Sequence, residues 1–217
     1  MHLEIGSKNP YLKTGFIHAS NCITDLSSPG LRELINQTLG IIRSNEYIKG
    51  FDTARKLVRD MLRWGGFKPT GRNKPASEYI INNAVENRFP FILNAVDLNN
   101  LISLKYFLPV STVDASVTSG DFILKEGSEG QDYIFNPSGQ LIDLEGLITV
   151  FDRDIPIANP VKDSQKTKIS KDTTDIAIFV YSSLLLYNED QFSDIISIYC
   201  RLITKYLEGN INSLRIY

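Results

Sequence analysis

Apolar residues recur at helical spacing in five stretches of the chain, so each of these stretches is predicted to form an amphipathic helix. The first helix opens at Ser27-Ser28-Pro29, where a proline near the first helical position loses no hydrogen bond, and its apolar stripe runs to Leu39. The other four are predicted at about residues 46–64, 76–87, 96–107 and 189–208.

Between and beyond these helices the pattern changes to short β-branched and aromatic segments separated by turn residues, which is typical of antiparallel strands. Strands are predicted at 3–5, 15–20, 111–117, 121–126, 132–136, 140–143, 147–152 and 175–182, and the length of the last does not exclude a helix. Residues 162–174 read as a polar loop. Helices followed by strands and a final helix predict an α+β fold.

Composition is that of an ordinary globular protein, with 217 residues, 42% hydrophobic and 22% charged. The formal charge of −2 argues against strong non-specific binding of nucleic acid. One local exception is residues 49–74, which hold eight basic residues and two acidic ones. There Arg55, Arg59 and Arg63 share helical spacing, so they form either a track for RNA phosphates or a solvated helix face.

No segment resembles a signal peptide or a membrane span, so a cytoplasmic location and no membrane partner are expected. Cys22 and Cys200 are the only cysteines, and in that compartment they are expected to be two thiols. His2 and His18 lie in no His/Cys cluster, so neither a metal site nor a cofactor is expected. No phosphate-binding glycine loop and no serine-hydrolase elbow is present.

The most specific motif in the sequence is the segment Val96-Asp97-Leu98-Asn99-Asn100, followed by Pro109 to Asp114. It resembles, without a gap, the V-D-x-x-N-x8-P-x-H-x-x-D signature of the B3/B4 editing domain in the β-subunit of phenylalanyl-tRNA synthetase. Residues 74–81 and the run from Asp172 to Ile178 are similar to the flanks of the same domain. The resemblance covers about residues 70–182.

This resemblance implies a layered fold with a β-sandwich-like core of mostly antiparallel strands flanked by helices. It divides the chain into an N-terminal part (1–70), a B3/B4-like core (71–182) and a C-terminal helix packed on that core (183–217), all in one compact unit. Aligned residue by residue, Asn100 falls on a pocket asparagine and Thr173 or Thr174 on a pocket threonine, while Ser111 replaces a histidine. The glycine-rich loop and its glutamate fall on 159–166, where no glycine is present.

The polar residues left in and beside that loop, Asp163, Ser164 and Thr167, are expected to supply its polar groups. The resemblance implies a module that binds tRNA or aminoacyl-tRNA and hydrolyses a mischarged amino acid in trans. As an enzyme it would be an aminoacyl-tRNA deacylase and not a complete synthetase. The alternatives are a non-catalytic module that binds RNA or an amino acid and, as a weaker option, a protein–protein adaptor. Binding or hydrolysis of a charged tRNA requires the Asp97–Asp114 stretch and the loop ending at Thr174 to line a common hollow.

Overall fold

The computed structural model describes all residues from 1 to 217 and contains five α-helices. These are α1 (Pro29–Leu39), α2 (Asn45–Leu62), α3 (Ala76–Val85), α4 (Asn94–Tyr106) and α5 (Glu189–Leu207). Caps fix their starts: the hydroxyls of Ser28 and Ser44 accept from the first turns of α1 and α2, and Asn188 with Gln191 forms a capping box on α5. No helix combines the length and apolarity needed to cross a membrane.

Ten strands complete the fold: β1 (His2–Ile5), β2 (Leu12–Ser20), β3 (Val110–Asp114), β4 (Asp121–Glu126), β5 (Asp132–Ile134), β6 (Leu141–Asp143), β7 (Ile148–Asp152), β8 (Ile155–Ala158), β9 (Ile176–Ser183) and β10 (Asn210–Ile216). They form one sheet in the order β1-β4-β7-β8, a second in the order β10-β2-β9-β3, and the hairpin β5-β6. All pairs are antiparallel except β1 with β4. The predicted α+β class with a largely antiparallel sandwich is confirmed.

The central strand β9 explains why the two sheets stack. All eight of its residues are buried, because its alternate side chains enter two different cores. Phe179 and Tyr181 join Phe16 and Phe122 in the core between the sheets. Ile178 and Val180 face the opposite way, into a second core that α1, α4 and α5 cover. A smaller third cluster joins α2, α3 and α4.

Several local expectations need correction. Strands β8 and β10 were not predicted, and the predicted strand 111–117 ends at Asp114, where a 3-10 turn follows. Helix α4 begins at Asn94, two residues before the predicted start, and its N-cap Leu93 makes no side-chain capping hydrogen bond. The Asn94 amide instead ties the helix start to neighbouring segments, since its Nδ2 donates to the carbonyls of Ile23 and Tyr206. Both cysteines are free thiols, as expected.

Candidate ligand-binding site

Helix α4 and the loop from Asn159 to Ile169 enclose two adjoining cavities of about 250 and 710 Å³. Both cavities are lined by Val96, Asn99 and Asp163, so we treat them together and call them the hollow. Helix α3 closes one side of the smaller cavity with Ala76, Tyr79 and Ile80. Its first residue is anchored to the same loop, because the Ala76 N–H donates to the Pro160 carbonyl at 2.9 Å.

Most of the buried side-chain polar atoms that lack a hydrogen-bond partner belong to residues lining the hollow. Four buried side-chain atoms lack a hydrogen-bond partner, and three of them belong to lining residues: Nδ2 of Asn100, Oδ1 of Asp163 and Oε1 of Gln165. An unpaired buried polar atom costs about 1–3 kcal/mol. Their clustering at one cavity therefore marks a place where a ligand could supply the missing hydrogen bonds.

Asp163 is the ionisable group of the hollow. Burial raises the pKa of its carboxyl to about 7, against the opposing influence of the Ser111 hydroxyl, the Asn159 backbone and the charge of Lys168. The carboxyl is therefore divided between its acid and carboxylate forms at neutral pH. A group with that pKa in a cavity is suited to exchange protons with a ligand.

Asn99 presents an oriented donor to the same space. Its Oδ1 accepts from the Thr112 hydroxyl at 2.8 Å and from the Tyr199 hydroxyl. These two contacts hold the amide in place, and with its oxygen assigned to the two hydroxyls, Nδ2 is the group left for a ligand. Together with Asn100, helix α4 thus offers two amide donors, whereas Asp163 and Gln165 on the opposite loop offer acceptors.

A buried polar network holds the loop that carries Asp163. Oδ1 of Asn159 accepts from the backbone N–H groups of Val161 and Lys162, and its Nδ2 donates to the Tyr133 hydroxyl at 2.5 Å. The Tyr133 hydroxyl donates in turn to the Lys162 carbonyl at 2.6 Å. These contacts fold the chain tightly just before Asp163, which fixes where its carboxyl lies.

Ser111 links this network to the sheet. Its hydroxyl donates to the Asn159 carbonyl at 3.1 Å and accepts from the fully buried Tyr181 hydroxyl at 3.2 Å. Ser111 therefore lies behind Asp163 and does not line the hollow itself.

The other predicted pocket residues are divided between the hollow and its surroundings. Asn100 and Asp163 line the hollow. Ser164 faces a separate cavity beside β5, and its hydroxyl accepts from the Lys166 N–H. The Thr167 hydroxyl donates to the Ile157 carbonyl at 3.3 Å.

The two threonines at the end of the loop lie outside the hollow. The Thr173 hydroxyl donates to Oδ2 of Asp114 at 2.7 Å, so it ties the loop to the end of β3. Thr174 is solvent-exposed, and its carbonyl accepts from the Cys22 N–H. The α4–β3 stretch and the polar loop do meet at one hollow, but at Asp163 and Gln165 rather than at Thr174.

Each arginine of the predicted RNA track is paired with a carboxylate. Arg55 contacts Asp52 at 2.9 Å, and Arg63 contacts Asp60. Arg59 departs from the predicted outer stripe: it donates through Nε and Nη2 to both oxygens of Glu78, each at 2.6 Å, and the Glu78 side chain is only 3% exposed. Arg59 thus fastens α2 to α3, and an RNA role remains a prediction only for Arg55 and Arg63.

Sequence reasoning missed Asn99 and Gln165. Asn99 adjoins Asn100 and is the more firmly oriented of the two, but this follows only from its tertiary contacts with Thr112 and with Tyr199, one hundred residues away. No three His, Cys, Asp or Glu side chains lie close enough together to hold a metal ion.

The B3/4 domain profile matches residues 68–183, a little over half of the chain. The chain belongs to the B3/4 domain family. The matched range contains α3, α4, β3 to β9 and every residue that lines the hollow. No curated protein is significantly similar to the sequence.

Among solved structures, the chain is similar to an N-terminal fragment of the phenylalanyl-tRNA synthetase β-subunit from Pyrococcus horikoshii, with 9% identity and a TM-score of 0.48. The match covers 97% of this chain and 50% of that fragment. The chain therefore spans about half the length of the structure it matches.

Proposed function

We propose that this B3/4 protein binds the aminoacyl end of a charged tRNA in the hollow and hydrolyses the ester bond. The observation that carries the proposal is the meeting of an unpaired donor, Nδ2 of Asn100, and an unpaired acceptor, Oδ1 of Asp163, at one cavity. An aminoacyl ester and the water that hydrolyses it have complementary groups, because the ester carbonyl accepts from an amide and the water donates to a carboxylate. Free space of about 250 Å³ beside Ile80, Val96 and Val110 suits an apolar side chain.

In this proposal the amide groups of Asn99 and Asn100, which line the same cavity, bind the ester carbonyl. In hydrolysis this oxygen becomes an oxyanion, and preorganised donors stabilise the developing charge. On the opposite wall, Oε1 of Gln165 is available to the substrate ammonium. This division leaves the Asp163 carboxylate free to act on water.

In the reaction, Asp163 accepts a proton from a water molecule as the water oxygen bonds to the ester carbon. The tetrahedral intermediate then expels the ribose oxygen of the terminal nucleotide, which takes the proton from Asp163. The carbon–oxygen ester bond breaks, and the free amino acid and uncharged tRNA leave. A pKa of about 7 permits both proton transfers at neutral pH.

Release of labelled amino acid from a panel of mischarged tRNAs tests the proposal directly. Asp163→Asn should lower the rate by about 10²–10⁴-fold, which is the usual contribution of a general base. Asn100→Ala should lower it by about 10²–10³-fold, as loss of an oxyanion donor does. Thr174→Ala is the matched control and should not change the rate, because Thr174 is exposed outside the hollow. Wild-type protein that releases no amino acid faster than buffer from any tRNA would refute the hydrolytic part.

A non-catalytic amino-acid-binding module is the second candidate. The observation favouring it is that the unpaired donor of Asn100 and the unpaired acceptor of Gln165 are sufficient to bind the carboxylate and ammonium of an amino acid without any reaction. Thermal unfolding with free amino acids and their methyl esters separates the two functions. Stabilisation that Asn100→Ala abolishes, without ester turnover, would establish binding alone.

A further inference from the structure

Cations without acidic partners gather at the rim of the hollow. The protein has seven ion pairs, and these engage all three arginines of the predicted RNA track but none of Arg72, Lys162 and Lys168. Lys168 lines the larger cavity. Tyr79 lines the smaller one, and its hydroxyl donates to the carbonyl of Gly71, next to Arg72. We call Arg72, Lys162 and Lys168 the basic ridge.

Contacts with Phe135 join two members of the ridge, Lys162 and Lys168. The Lys162 ammonium lies 4.1 Å from the centre of the Phe135 ring, and the Lys168 ammonium donates to the Phe135 carbonyl at 2.5 Å. At the other end, burial and then the nearby charge of Arg72 lower the pKa of Lys162. No carboxylate lies within 4 Å of the Arg72 guanidinium or the Lys162 ammonium.

The backbone under the ridge is fixed. The Lys162 N–H donates to Oδ1 of Asn159, and Lys168 forms a β-bridge with Val113. Like charges in a row repel one another when no anion is bound, and a chain of phosphates would neutralise them. Phe135 and Tyr79, both partly exposed, flank the cations. Rings interleaved with cations are typical of surfaces that bind single-stranded nucleic acid, because bases stack on the rings while phosphates contact the cations.

We propose that the basic ridge is the nucleic-acid interface of this protein and holds the phosphates of a single-stranded RNA end that leads into the hollow. The assignment rests on the proposed function for its biological partner. It moves the expected RNA contact from α2, where the arginines are paired with acids, to the rim of the ligand site.

Fluorescence anisotropy with a labelled short single-stranded RNA tests the assignment, comparing the wild type with two triple variants of equal charge change. One variant is R72A/K162A/K168A, and the other is K49A/R55A/R63A on α2. Three phosphate contacts on a single strand predict a salt slope of about −2, and thus a loss of roughly 20-fold in affinity between about 50 and 200 mM salt. The ridge variant should lose most of the binding and its salt dependence, and the α2 variant should keep both.

Equal losses in the two variants, or a larger loss in the α2 variant, would overturn the assignment. Polyglutamate that competes as well as RNA would also overturn it, by showing that the surface takes any acidic chain. If the wild-type protein binds no RNA, the assignment of the ridge as an RNA interface is wrong. The proposal that the hollow binds an aminoacyl ester is unaffected, because stabilisation by amino-acid esters is measured separately. Conversely, RNA binding that persists in Asn100→Ala, while ester stabilisation disappears, would support the ridge independently of the pocket.

Discussion

Replacement of Arg59 by alanine would leave the carboxylate of Glu78 buried without a partner. The Glu78 side chain is 3% exposed and that of Arg59 is 21% exposed, and two hydrogen bonds of 2.6 Å join them. Loss of one partner from a buried pair costs about 3–5 kcal/mol, mostly as the penalty for the charge left behind. For a chain of this size we expect the melting temperature to fall by roughly 10 °C.

Arg55 provides the matched control, because it also pairs with an aspartate on α2 but at the surface, with side-chain exposures of 42% and 55%. Exposed pairs contribute about 0–1 kcal/mol, so Arg55→Ala should scarcely change stability. Urea unfolding followed by circular dichroism measures both variants. The double variant R59A/E78Q should be more stable than R59A alone, because the neutral amide leaves no uncompensated charge. Equal effects of Arg59→Ala and Arg55→Ala would refute the description of a buried pair that fastens α2 to α3.

Two further outcomes follow from the site. Because burial raises the pKa of Asp163 to about 7, the folded protein retains a proton that the unfolded chain releases near pH 4, so this group makes the free energy of unfolding fall as pH rises from about 4 to 7. Asp163→Asn should therefore flatten that decline, which urea titrations at a series of pH values would show; an unchanged slope would contradict the raised pKa. Thr173→Val should cost about 1–2 kcal/mol by removing the donor to Asp114 but leave ester binding intact, whereas Thr174→Val should alter neither unfolding nor binding.

The order of helices and strands could be predicted, because it depends on local periodicity, but two strands could not. β8 contains Pro156, which removes a backbone donor and weakens any strand pattern. β10 has Ile211, Leu214 and Ile216, and the register shift between Ile211 and Ser213 breaks their alternation. Both strands lie at sheet edges, where half-exposed residues give the weakest signal.

The site was partly predictable for a related reason. Asn100 was identified by resemblance and Asp163 from the polar loop, and an asparagine inside a helix, where it is a poor helix former, is consistent with a tertiary role for Asn100. Thr173 and Thr174 were grouped with the pocket by resemblance. The hydroxyl of Thr173 is instead engaged by Asp114, and no local pattern encodes that long-range contact.

The polar groups that line the hollow come from two parts of the chain, a helix and a loop. Donors come from α4, whose orientation is set by Thr112 and Tyr199 around Asn99. Acceptors come from a loop held by Asn159 and Tyr133. A ligand with only an acceptor or only a donor would satisfy one wall and leave the other unpaired, at a cost similar to the gain. Only a ligand that bears both kinds of group gains from both walls, so we expect an α-aminoacyl ester to bind this site more tightly than a simple anion or amine.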